Sequence, residues 1–190
     1  MPHFISTVVL VGMILQIFNP NYGLYGRLMQ TLTGQKPQDL MATGSGFTNI
    51  YIWSGVWQNF GWDSIMYLAA LTAVSAEQHE AAQIDGATRF QRVLHVDFPA
   101  ILPTITIMLI MRMGSVMSIG FEKVYLMQND LNVSASEVIS TYEYKRGLAS
   151  AGNTDFSLST AIGLFNSTIN LVMMVIVNAI CGKLSDTSLW

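Results

Sequence analysis

Apolar residues are not spread evenly along this chain of 190 residues; they gather in four runs, at about 4–18, 49–74, 100–124 and 158–181, with polar connections between them. A helix that crosses a bilayer needs roughly 20 mostly apolar residues, so the last three runs predict spanning helices directly. The first run, FISTVVLVGMILQIF, is shorter. A secretory leader would carry basic residues ahead of its apolar core and small residues at a cleavage site. MPHFIS has no Lys or Arg, so the chain is expected to begin inside a span.

The connections differ from one another. Residues 19–48 hold Pro20, Pro37 and five glycines without a sustained period, which predicts mostly loop. In 125–157, Val138, Ile139 and Tyr142 fall at i, i+1 and i+4, the spacing of one short amphipathic helix at a membrane surface. No internal repeat or low-complexity tract is visible.

Composition agrees with the pattern. Hydrophobic residues make up 51% of the chain and charged residues 11%, with a mean hydropathy of +0.41. That is too little polar surface for an ordinary soluble domain. The net charge is -3 and the Lys and Arg residues are scattered, so no basic stripe argues for nucleic acid. Cys181 is the single cysteine and lies in an apolar run, which leaves no disulfide framework and no metal-ligand spacing; it reads as a small buried apolar residue.

The connection over 75–99 is the most informative. Ser75 and Gln78 have the spacing of a capping box, and Glu77 and Glu80 then lie in the first turns, where the helix dipole favours negative charge. Gly86 after Asp85 allows a left-handed turn, and Asp85 can cap the helix that follows. Ala87, Phe90 and Leu94 repeat at i, i+3 and i+7 and predict a second short helix. Pro99 is expected to stop that helix and open the third span. The small residues Ala81, Ala82 and Ala87 would let another surface approach closely, while Glu80 offers a charge. A hairpin that only connects two spans would read the same way.

EAAQIDGA, followed by Gln91, Val96, Phe98 and Pro99, resembles the EAA loop of binding-protein-dependent ABC importer permeases. In the family the loop ends I-x-L-P, and here it reads VDFP, with both changes still apolar. PHFISTVVLVGMILQ, NIYIWSGVWQNFGW, LPTITIMLIMRMGSVMSIGFEKVYLM, SEVISTY and KLSDTSLW resemble the carbohydrate-uptake branch, especially permeases for oligosaccharides and polysaccharide fragments. The resemblance implies an all-α, polytopic membrane helix bundle of the type I importer class, with four of six expected spans present and two missing at the front. It implies that the loop is a coupling helix pair seated on a cytoplasmic ATPase subunit, with Glu80 pairing an Arg there and Gly86 as the turn. It also implies the partners: a cytoplasmic ATP-binding subunit dimer, a second permease subunit, an extracytoplasmic sugar-binding protein and the lipid membrane.

With that loop inside, parity puts 19–48 and 125–157 outside and the tail from Gly182 inside. The inner segments then hold Arg89, Arg92 and Lys183, and the outer ones Arg27, Lys36, Lys145 and Arg146. The basic residues lean by one against the usual cytoplasmic excess.

Some polar residues fall within the runs. Asp63 lies twelve residues before Ser75 and Arg112 twelve after Ala100, so at 1.5 Å per residue both sit about 18 Å from the hairpin side. A lone charge there costs roughly 2.5 to 3.5 kcal/mol, which predicts that they pair or face a wet sugar path; a later start of the second span would instead leave Asp63 near water. Ser159, Gly163, Asn166 and Asn170 fall at i, i+4, i+7 and i+11 and form one polar face. That face suits either a sugar pathway or interhelical hydrogen bonds. Tyr51, Trp53, Trp57 and Trp62 could stack on sugar rings or form an interfacial belt.

The chain has no phosphate-cradling loop and no nucleophile with a base, so no cofactor, metal or enzymatic step is expected of it. The expected function is a carbohydrate permease driven by a partner ATPase. The alternatives are a secondary transporter or channel half that uses Asp63 and Arg112 for ion coupling, and an inactive truncated fragment.

Overall fold

The computed structural model describes residues 2–118, 120–149 and 154–185; the last residues of the KLSDTSLW match lie outside them. Nine α-helical elements follow in chain order among the described residues, with no strand: α1 (Thr7–Ile17), α2 (Leu24–Thr33), α3 (Gly44–Thr72), α4 (Ala76–Ile84), α5 (Arg89–Met113), α6 (Phe121–Met127), α7 (Val133–Ser136), α8 (Ile139–Tyr144) and α9 (Phe156–Ser185); short 3-10 helices at Pro2–Phe4 and Leu40–Ala42 and a π turn at Lys145–Ala149 accompany them. Side chains start several of them. The Ser6 hydroxyl accepts from the Val9 N–H, Thr43 from the Gly46 N–H and the Asp155 carboxylate from the Leu158 N–H. Each satisfies a donor that the first helical turn would otherwise leave unpaired.

Among the described residues two helices are long and apolar enough to cross a membrane, α5 and Phe156–Lys183 of α9. α1 is apolar but shorter, and α3 is long at 29 residues but carries polar positions along its length. Large apolar side chains stand exposed on these helices, among them Phe60 at 71%, Leu164 at 65% and Leu171 at 60%. Water would penalise such surfaces heavily, whereas hydrocarbon would not.

The chain divides into two compact units, residues 1–59 with 118–166 and residues 60–117 with 167–190. In the first, Leu10, Val11 and Ile14 of α1 pack with Met41, Phe47, Ile50, Val124 and Met127 to form the core. Asn129 and Asn132 both donate to the Met41 carbonyl, which ties the loop before α7 to that core. In the second unit Ile110 of α5 is fully buried, and Thr106, Asn178 and Cys181 are nearly so.

Several elements depart from the sequence expectation. The third apolar run was expected to form a helix over 100–124, but the helix runs Arg89–Met113 and turns at Gly114–Met117. Asn170 on α9 accepts the Met117 N–H at 3.1 Å, so a side chain far away in sequence stabilises the turn. Residues 121–127 form the separate α6, whose Lys123, Val124 and Met127 are buried in the first unit. Pro99 does not stop a helix, because α5 runs straight through it. Proline lacks a donor and its ring would press on the carbonyl four residues back. Val93–Asp97 answers by opening into a π turn, in which the Phe98 N–H reaches the Val93 carbonyl. Finally, the loop expected over 19–48 contains α2, on which Leu24, Leu28 and Leu32 form an exposed stripe.

Candidate functional site

The hairpin over 75–99 lies within the second unit. Ser75 caps α4, its hydroxyl accepting from the Glu77 N–H at 3.2 Å. At the other end Asp85 is the C-cap residue, and Gly86 follows with φ +78°, a conformation that costs an ordinary L-residue roughly 1 to 2 kcal/mol. The Gly86 N–H bonds to the Gln83 carbonyl at 3.0 Å and the Ala87 N–H to the Ala82 carbonyl at 2.9 Å. This pair of bonds is the Schellman termination, which satisfies the last carbonyls while reversing the chain.

Asp85 does not cap the helix that follows; Thr88 does. The Thr88 hydroxyl accepts from the Gln91 N–H, and Gln91 Oε1 accepts from the Thr88 N–H at 2.8 Å. This reciprocal box is legible as T-R-F-Q, but the acidic Asp85 beside Gly86 draws attention first. His79 Nε2 on α4 lies 3.1 Å from Asp97 Oδ1 in the π turn, clasping the two arms. Nothing in the local pattern pointed to this contact.

The hairpin exposes large apolar side chains among polar ones. Ile84 is 87% exposed and Phe90 72%, and Glu80 and Ala81 are exposed while Ala82 and Ala87 are half-buried. Two open clefts flank the crossing of the arms. One, of about 290 Å³, is lined by Ala82, Gly86, Ala87, Gln91 and Arg92. The other, of about 600 Å³, is lined by Ala81, His95 and Pro99 among others. The Arg92 Nε is buried without a hydrogen-bond partner among the described residues. Such a surface has small residues, two exposed apolar anchors and a nearby carboxylate, which suits docking against another protein.

The polar positions of the long helices separate into distinct roles. Arg112 Nη2 donates to Asp63 Oδ1, so the pair expected at equal depth is formed, between α5 and α3. Asn170 is engaged by the Met117 N–H. The Asn166 Oδ1, in contrast, is buried with no hydrogen-bond partner among the described residues. Ser159 donates to the Glu143 carbonyl at 3.4 Å, and a Cβ on Gly163 would stand 3.0 Å from Glu143 Oε1. Tyr51 stacks on Phe47 and lies under the Lys123 ammonium, while Trp53 and Trp57 are 69% and 55% exposed.

The family described as "Binding-protein-dependent transport system inner membrane component" matches residues 1–185. Protein LplB of Bacillus subtilis (strain 168) is 37% identical over 189 residues, covering 100% of this chain and 58% of that protein. The polygalacturonan/rhamnogalacturonan transport system permease protein YteP of the same organism is 34% identical, with the same coverage of both chains. A chain in the crystal structure of a bacterial alginate ABC transporter, in complex with an alginate pentasaccharide-bound periplasmic protein, superposes with a TM-score of 0.92. It is 33% identical, and the match covers 100% of this chain and 64% of that one. The chain thus spans under two thirds of the length of these relatives.

Proposed function

Because the chain belongs to the inner membrane components of binding-protein-dependent transport systems, we propose that it is a permease subunit that carries an oligosaccharide across the cytoplasmic membrane, powered by ATP hydrolysis in a partner. The observation that carries this reading is the hairpin: a Schellman turn at Gly86 between two capped arms, exposing Ile84 and Phe90. An ATPase dimer docks there on the cytoplasmic side, with Glu80 supplying the charge, Ala81, Ala82 and Ala87 the close approach, and Asp85, Gly86 and Pro99 the shape. A second permease completes the pathway, and an extracytoplasmic binding protein delivers the sugar. The saccharide class is supported by the names of YteP and of the alginate transporter.

In this reading the permease itself catalyses no reaction. Closure of the ATPase dimer moves the hairpin and so shifts the spans between outward and inward access. Asp63, Arg112, Asn166 and Asn170 belong to the translocation path or its walls. The Asp63–Arg112 pair also suits a secondary transporter, which would carry its substrate along an ion gradient without ATP.

The test is co-purification of the ATPase subunits with the assembled transporter. The complex is expected to survive in the wild type and to be lost on Glu80→Lys or Gly86→Pro. Retention of the complex in both variants, or labelling of the 75–99 segment from the exterior of sealed vesicles, would overturn the assignment.

A further inference from the structure

A hollow of about 250 Å³ lies in the first unit beside the Ser159–Glu143 contact. It is lined by Phe121 of α6, by Ser140, Glu143 and Tyr144 of α8, by Leu148 and by Ser159 of α9. The Phe121 and Tyr144 ring centroids are 5.0 Å apart, and Tyr125 backs both at 5.5 and 5.1 Å, so two of its walls belong to one aromatic cluster. Glycine permits the close approach that shapes the rest: a Cβ on Gly147 would meet Ser159 Oγ at 2.4 Å, and one on Gly163 would crowd Glu143.

Aromatic faces beside a carboxylate and hydroxyls are the chemistry that recognises a sugar ring, whose C–H face stacks while its hydroxyls donate to the carboxylate. The volume lies below the range of sites for drug-sized ligands, roughly 300 to 1,000 Å³, and so suits one ring rather than a chain. Among the described residues the lining carries one carboxylate and no cation, so a ring bearing its own carboxylate would be repelled. We propose that this hollow is a saccharide subsite on the extracytoplasmic side, selective for a neutral pyranose ring over a uronate. The proposal rests on the permease reading, which supplies both the ligand class and the side of the membrane.

The test uses the assembled transporter in sealed vesicles, with Cys181→Ala as background and a reporter thiol at Ser140→Cys or, independently, Leu148→Cys. Labelling by a membrane-impermeant thiol reagent is followed with trimers of galactose, glucose or mannose, and with trimers of the matching uronates. At least one neutral trimer is expected to slow labelling fivefold or more at both positions, while the matching uronate has little effect. Glu143→Gln should then let the uronate protect as well. The proposal is overturned if no neutral trimer protects either thiol, or if the uronates protect equally with Glu143 intact. ATP-driven uptake of saccharides, measured in the same vesicles, reports separately on the permease reading: uptake without protection removes the subsite alone, and absence of uptake of any saccharide removes the permease.

Discussion

Arg112 of α5 reaches Asp63 of α3 across 2.5 Å, although 62% of the arginine side chain and 38% of the aspartate side chain stay open within this chain. In water so exposed a pair would contribute about 0 to 1 kcal/mol. In hydrocarbon each unpaired charge costs roughly 2.5 to 3.5 kcal/mol, so the partnership matters most within a bilayer. Asp63→Asn and Arg112→Gln should each lower the amount of inserted, detergent-extractable protein, and exchanging the two residues should recover most of it. Equal loss in the single and exchanged variants would mean that their proximity has no consequence.

Gly86 separates backbone from packing effects, because a Cβ placed there meets nothing within 4 Å. Gly86→Ala should cost about 1 to 2 kcal/mol through the left-handed φ alone. Gly86→Asn should cost less, since asparagine tolerates that region, and Gly86→Val should cost most. Thermal unfolding of the purified protein checks the order; a valine variant as stable as the asparagine one would show that the turn does not hold this conformation.

Thr88 starts the second arm. Thr88→Ala removes the hydroxyl that accepts from the Gln91 N–H but leaves the backbone bond from the Thr88 N–H to Gln91 Oε1; it should destabilise that turn by about 1 kcal/mol, while Thr88→Ser preserves both bonds. Hydrogen exchange of the amides over 89–92 should quicken about fivefold in the alanine variant and stay unchanged in the serine variant.

Gly147 and Ser159 form a steric couple. Gly147→Ala places a methyl group 2.4 Å from Ser159 Oγ and should destabilise by about 1 to 3 kcal/mol through overpacking. Adding Ser159→Gly removes the obstructing atoms and should recover much of that loss. Additive losses in the double variant would argue against direct contact.

The hairpin was legible because its signals are local: a small-residue helix, a glycine after an aspartate and a capping serine all lie within a dozen residues of one another. The helix ends were less so. The apolar run through 124 reads as one span, but it breaks where Asn170, 53 residues away, satisfies the Met117 N–H, a contact that no window of neighbouring residues contains. Pro99 reads as a boundary because its penalty is local, whereas the relief, a π turn over Val93–Asp97, is a cooperative adjustment of the backbone. The Asp63–Arg112 pair could be anticipated from depth alone, since a buried charge demands a partner. The His79–Asp97 clasp could not, because both residues also suit an exposed surface.

The passage of α5 through Pro99 by way of a π turn has a mechanical consequence. From Phe90 on the hairpin to Arg112 the chain stays helical, through the π turn at Val93–Asp97 and past Pro103, over 22 steps of 1.5 Å, about 33 Å. A push on the exposed phenylalanine therefore travels along a single rod, with no slack loop to absorb it. At its far end a guanidinium and a carboxylate tie the rod to α3, so the two helices share any load that arrives there.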